Sequence, residues 1–175
     1  MSAPGIVAVL GNPRPNSRTH GIALTLAGAI SASLAAPEPS AIDLATFGPR
    51  VLDPADDGVK AAVEVLLAAD IVVVASPTYK ATYTGLLKSF LDRVGTGALD
   101  GATAIPLLVG GAPNHQLAVD VHLVPLLLEL GASVPVRGLF VLDSEAETFD
   151  ETARVWALQH QHRLTSAGPA LTSKS

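Results

Sequence analysis

The sequence predicts a doubly wound α/β domain, a parallel β-sheet with helices on both faces. Three observations carry that prediction. Short aliphatic runs alternate along the chain with longer segments of helical propensity, the order expected of repeated βαβ units. The segment Ala69 to Ala75 holds the continuous β-branched run Ile71-Val72-Val73-Val74. Such a run, without polar alternation, marks a strand buried on both faces and hence a parallel sheet. A first apolar run, Ile6 to Leu10, leads directly into the turn formers of Leu10 to Thr19, beyond which an alanine-rich and leucine-rich segment begins.

The elements follow in order. After a strand at Ile6 to Leu10, Ser17 to Leu34 has the length and propensities of a helix, weakest at Gly21 and Gly28. Pro37 and Pro39 end it. A short second strand is expected at Ala41 to Leu44, then a loop from Ala45 to Asp56 with Gly48, Pro49 and Pro54. Asp56 or Asp57 caps a helix that runs to about Ala69. The third strand, Ala69 to Ala75, stops at Ser76-Pro77-Thr78-Tyr79-Lys80. Gly85 to Val94 is expected to be helical and Gly95 to Gly101 a loop. A fourth strand, Ala104 to Val109, runs into Gly110-Gly111-Ala112-Pro113. His115 to Leu130 is a long helix stopped by Gly131. Val134 to Leu142, interrupted by Gly138, is the fifth strand, and Thr148 to Leu164 the last helix. Five strands rather than six favour the flavodoxin-like order 2-1-3-4-5. Residues 1–165 are thus expected to form one domain and 166–175 a flexible tail.

Composition narrows the function. A chain of 175 residues with 49% apolar and 15% charged residues can bury a sizeable core. Its net charge of −5 argues against nucleic acid as a partner. The absence of cysteine excludes thiol redox chemistry and cysteine-bound clusters. No apolar segment reaches the ~20 residues that cross a bilayer, and no signal-type segment opens the chain. No membrane partner and a cytoplasmic location are expected.

Ligands of open parallel sheets bind beyond the carboxyl ends of the strands, near the switch point between the first and third. The unusual loops fall there. In the first loop, Asn12, Ser17 and Thr19 offer donors and Arg14 and Arg18 positive charge at a helix start, a combination that suits a phosphate. It also reads as a plain turn whose Ser17 caps the helix. The second loop supplies Pro77 and Tyr79 as an apolar and aromatic wall. In the third, Gly110 and Gly111 allow close approach of a flat ring. Placed on one rim, the three suit a phosphorylated planar cofactor.

These residues carry a family resemblance. Gly11-Asn12-Pro13-Arg14 followed by Ser17 resembles the Gly-Ser-x-Arg-x-x-Ser loop of the NADPH-dependent FMN reductases. Ser76-Pro77-Thr78-Tyr79-Lys80, then Tyr83, Gly85, Leu87 and Lys88, resembles that family's Pro-x-Tyr segment and the helix after it. Gly110-Gly111 with His115, Leu117, Ala118, Val119 and Asp120 resembles its third segment. The match runs from about Ile6 to Ser144 and is most similar to the branch that supplies reduced FMN to two-component alkanesulfonate monooxygenases. Two positions depart from the pattern: Asn12 stands for a serine, and Val121, followed by His122, for that branch's tyrosine.

The resemblance implies an NAD(P)H-dependent FMN reductase, with hydride passing from NADPH or NADH to N5 of FMN, and a flavin-dependent monooxygenase as possible partner. Asn12, Arg14, Ser17 and Thr19 would hold the FMN phosphate. Ser76, Pro77, Thr78, Tyr79 and Lys80 would contact the ring or ribityl chain, and Gly110 and Gly111 would border the ring. No side chain is needed as general acid or nucleophile, since the cofactor carries the chemistry. The alternatives are a reductase that keeps its FMN and serves a quinone, azo dye or metal oxyanion, and a flavodoxin-type carrier without direct NADPH use. Arg14 and the modest charge weigh against the carrier.

Other constellations are weaker. His160 and His162 stand two apart and diverge on a helix, which disfavours a metal site. Trp156 with Val155 reads as the apolar face of the last helix, and Asp143, Glu145 and Glu147 as a solvated acidic edge. No Gly-x-Ser-x-Gly elbow points to a hydrolase. The helix His115 to Leu130 is apolar nearly all round, which predicts a subunit interface in a homodimer or homotetramer. Pro125 crowds the carbonyl of Val121, which predicts a kink or π-bulge mid-helix.

Overall fold

Five short aliphatic segments form the sheet: β1 (Ile6–Leu10), β2 (Ser40–Asp43), β3 (Ile71–Pro77), β4 (Thr103–Gly110) and β5 (Leu139–Leu142). In the computed structural model, which describes residues 3–165, they pair in the order β2-β1-β3-β4-β5, every pair parallel. This is the predicted flavodoxin-like order. The helices are α1 (Arg18–Ser33), α2 (Asp57–Leu67), α3 (Gly85–Leu91), α4 (Val124–Glu129) and α5 (Phe149–Leu164).

Strand alternation sends side chains into two cores. Ala8, Leu10, Val73, Ala75, Ile105 and Leu107 pack with α1 and α5 on one face. Val7, Val9, Val72, Val74, Ala104 and Leu108 pack with α2, α3 and the segment around α4 on the other. Strands β1, β3 and β4 are buried along their whole length, as an unbroken apolar run requires. Each fully buried aliphatic side chain contributes roughly 1.5–3 kcal/mol, so the two cores dominate stability.

Local capping sets the helix starts. Ser17 Oγ accepts the N–H of His20 at 3.2 Å, and Asp56 Oδ1 that of Val59 at 2.9 Å. The latter bond is the main cause that holds the Asp56 carboxyl below its usual range.

Three elements depart from expectation. The loop expected over Ala45 to Asp56 holds 3-10 turns at Leu44–Thr46 and Gly48–Leu52. The fifth strand begins at Leu139, not Val134. Ser133 makes an isolated bridge to Thr103, and then the ladder lapses until Leu107 meets Leu139. Pro106 of β4 has no N–H to offer in that gap, and Pro135 lies in the unpaired stretch. The helix expected over His115 to Leu130 is broken into a 3-10 turn (Pro113–His115), a π-helical turn (Val119–Leu123) and α4. Pro125 cannot donate to Val121, and the N–H of Val124 reaches back five residues to the carbonyl of Val119. The predicted irregularity is therefore a π-turn. No helix among the described residues is long and apolar enough to cross a membrane. The expected tail, 166–175, lies outside the described residues.

Candidate functional site

The carboxyl ends of β1, β3 and β4 lie side by side, and the three loops that leave them form one rim. Gly11 starts the first. Its N–H donates to the carbonyl of Ala75 at 2.7 Å. A Cβ there would lie 2.8 Å from Leu87 Cβ and 2.9 Å from the Ala75 oxygen, so only glycine lets the chain pass between β3 and α3.

Asn12 and Thr19 then fold the loop. Asn12 is buried, its Oδ1 accepts the N–H of Arg14 at 2.9 Å, and its Nδ2 donates to Thr19 Oγ1 at 3.4 Å. Both side chains, expected as phosphate donors, are thus linked to each other, and Thr19 Oγ1, an acceptor in that bond, keeps its O–H to donate. Asn16 takes the left-handed φ of +52°, which asparagine tolerates well. Arg14 is exposed and pairs with no described residue, so its guanidinium is available at the rim. The N-terminus of α1 adds its dipole and unpaired N–H groups.

A threonine that the sequence reading passed over ties the first two loops together. Thr84 Oγ1 donates to the carbonyl of Gly11 at 2.6 Å and accepts the N–H of Leu87 at 3.1 Å. Its own N–H donates to Ser76 Oγ at 2.9 Å, and that hydroxyl donates to the Pro77 carbonyl at 2.8 Å. The signal was present, because a threonine directly before a helix start is a capping pattern. Ser76, named as a ligand contact from sequence, is fully buried, and its side chain is a brace beneath the rim.

Pro77 ends β3, and Thr78 donates its N–H to the carbonyl of Val109 at 2.7 Å. Tyr79 and Thr82 then exchange backbone hydrogen bonds of 2.8 and 3.2 Å around Lys80 and Ala81. Both of those residues have positive φ, +51° and +64°, the requirement of a primed two-residue turn, here met without glycine. The turn holds Tyr79, 44% exposed, beside Lys80, also exposed.

Gly110 and Gly111 differ in role. A Cβ on Gly110 would strike Phe140 Cζ at 2.6 Å, so this glycine is required by packing against β5. Gly111 is open, and a Cβ there would meet only Asp143 Oδ2, at 3.9 Å. One polar atom of the rim is left over. Thr78 Oγ1 is, among the described residues, the buried side-chain oxygen or nitrogen with no hydrogen-bond partner. A buried hydroxyl without a partner costs about 1–3 kcal/mol. A rotation about its Cα–Cβ bond that met a ligand acceptor would remove that cost. Phosphate-suited helix start, aromatic turn and orphaned hydroxyl all fit a flavin mononucleotide.

The fold and the rim define a flavodoxin-like, nucleotide-binding α/β protein. The sequence profile of the NADPH-dependent FMN reductases matches residues 4–147. The FMN reductase (NADPH) of Escherichia coli is 45% identical over 82 residues, 47% of this chain and 43% of that protein. The NADH-dependent FMN reductase SfnE of Pseudomonas putida is 32% identical over 176 residues, covering 95% of this chain and 91% of that one. Among solved structures, the apo form of the NADH:FMN oxidoreductase EMOB superposes with a TM-score of 0.78 at 33% identity, covering 89% of each chain. The chain belongs to the NADPH-dependent FMN reductase family, a family of NAD(P)H:FMN oxidoreductases.

Proposed function

We propose that this protein reduces FMN with NAD(P)H and passes the reduced flavin to a flavin-dependent monooxygenase. The observation that carries the reading is the meeting of three chemically distinct loops on one rim, each braced from below by Thr84, Ser76 or Phe140. FMN, when bound, supplies the acceptor for the hydride that leaves the nicotinamide, and solvent supplies the accompanying proton.

The chain's own residues hold and orient. Arg14 and the start of α1, with Ser17 at its cap, take the phosphate. Asn12 and Thr19 keep that loop in shape. Pro77, Thr78 and Tyr79 flank the ring, with Lys80 near it to offset negative charge. Gly111 leaves space for a second ring. The exposure of Arg14, Tyr79 and Lys80 supports a flavin that enters and leaves as a substrate. Use of reduced nicotinamide, an intracellular donor, supports a cytoplasmic location.

The working form is proposed to be a homodimer or homotetramer built on the π-turn segment. Leu117, Val121 and Leu128 there are 59%, 61% and 54% exposed, too much aliphatic surface for a helix with no partner. The test of function is consumption of NADH and of NADPH by the purified protein, with and without added FMN. Oxidation that needs added FMN is expected. Oxidation that is absent with every flavin would overturn the reading.

A further inference from the structure

The rim continues past Gly111 into a cavity that reaches the first turn of α1. It measures about 420 Å³ and is lined by Arg18, Gly111, Asp143, Ser144 and Glu147. Three elements build it: the first turn of α1, the chain beyond β4, and the 3-10 segment Asp143–Thr148 after β5. The acidic residues of that segment divide. Glu145 Oε2 accepts the N–H of Leu142 at 2.9 Å and is thereby engaged. The side chains of Asp143, Glu147 and Arg18 make no hydrogen bond or ion pair with any described residue. Two acids and one guanidinium therefore line the same cavity without partners of their own.

We propose that this cavity takes the diphosphate and adenosine ribose of the reduced dinucleotide, and that Asp143 and Glu147 make the protein prefer NADH to NADPH. The inference rests on the reductase reading. A nicotinamide beside Gly111 needs a bed for the rest of its molecule, and the cavity adjoins that glycine. Arg18 offers planar, charged donors that suit a diphosphate. Carboxylates only accept, which suits ribose hydroxyls. A carboxylate that meets a ribose 2′-hydroxyl favours the unphosphorylated dinucleotide, whereas a 2′-phosphate calls for an arginine there. Here a 2′-phosphate would face two acids, with a single cation already drawn to the diphosphate.

The test is calorimetric titration of the FMN-loaded protein with NAD⁺ and with NADP⁺, alongside kcat/KM for NADH and NADPH. Wild type should favour the unphosphorylated dinucleotide by about tenfold or more in both measurements. The double variant D143N/E147Q should gain NADP⁺ affinity and narrow the ratio, and Arg18→Ala should weaken both dinucleotides. Thermal melts serve as the folding control. Equal or inverted preference in wild type, or a ratio that the double variant leaves unmoved, overturns the inference while the reductase reading stands. No FMN-dependent oxidation of either dinucleotide overturns both.

Discussion

The two faces of the sheet are covered in different ways. One carries α1 and α5, each a regular helix of 16 residues, packed on each other as well as on the strands. The other carries α2 and α3, of 11 and 7 residues, and a third helix broken by a π-turn of 5. The regular face buries residues such as Leu26 and Ile30 completely. The broken face buries Leu123 and Leu127 equally well, yet leaves Leu117, Val121 and Leu128 in the open. The difference teaches that stability is shared between the faces and the site is not. Both faces bury a core, and α5 on the regular face also leaves Val155 and Leu158 open, but only the broken face places Thr84 at the rim.

Six substitutions would break or sharpen that comparison. The largest effect is expected for Val121→Glu, which puts a charge into the proposed interface. Light scattering should then return a monomer at a concentration where wild type is a dimer or tetramer; wild type that is itself monomeric, with and without FMN, would count against assembly. On the opposite face, Leu26→Ala empties a fully buried site and should cost roughly 2–5 kcal/mol in denaturant unfolding, without change in flavin affinity.

The rim substitutions follow. Arg14→Ala should weaken FMN by roughly 1.5–3 kcal/mol, one lost charge-assisted contact. Arg18→Ala should weaken it less, because Arg18 lines the cavity beyond Gly111. Fluorescence titration compares the two, and equal or reversed losses would remove Arg14 from the site. Thr84→Ala leaves the Gly11 carbonyl and the Leu87 N–H without their partner and should cost about 1–3 kcal/mol in stability. Flavin affinity should fall with it, which Leu26→Ala would not cause. The smallest stability effect is expected for Tyr79→Ala, within about 0.5 kcal/mol for an exposed side chain. The bound flavin spectrum or affinity should change all the same. A normal spectrum and affinity would take Tyr79 away from the ring.

Much of this was legible in the chain. The strand runs, the caps at Ser17 and Asp56, and the stop at Gly131 all rest on interactions within a few residues, which composition and spacing report directly. The disruption at Pro125 was legible for the same reason, since a proline's missing N–H acts on the residue four before it. The rim was legible as three loops because strand order follows from the count and alternation of elements.

What the chain alone left open involves residues far apart in sequence. Ser76 reads as a site residue until Thr84, from the start of the next helix, is found on its hydroxyl. Gly110 reads as an opening for a ligand, and only Phe140, thirty positions on, shows that packing requires it. The late start of β5 is of the same kind. A Cβ on Gly138 would lie 2.2 Å from Val119 Cγ1, so the chain entering β5 runs against the π-turn. Local propensity determined which segments are strands, helices and caps, because those choices are settled by near neighbours. Close packing between distant segments decided which glycines are structural and which open, and which polar side chains remain free for a ligand.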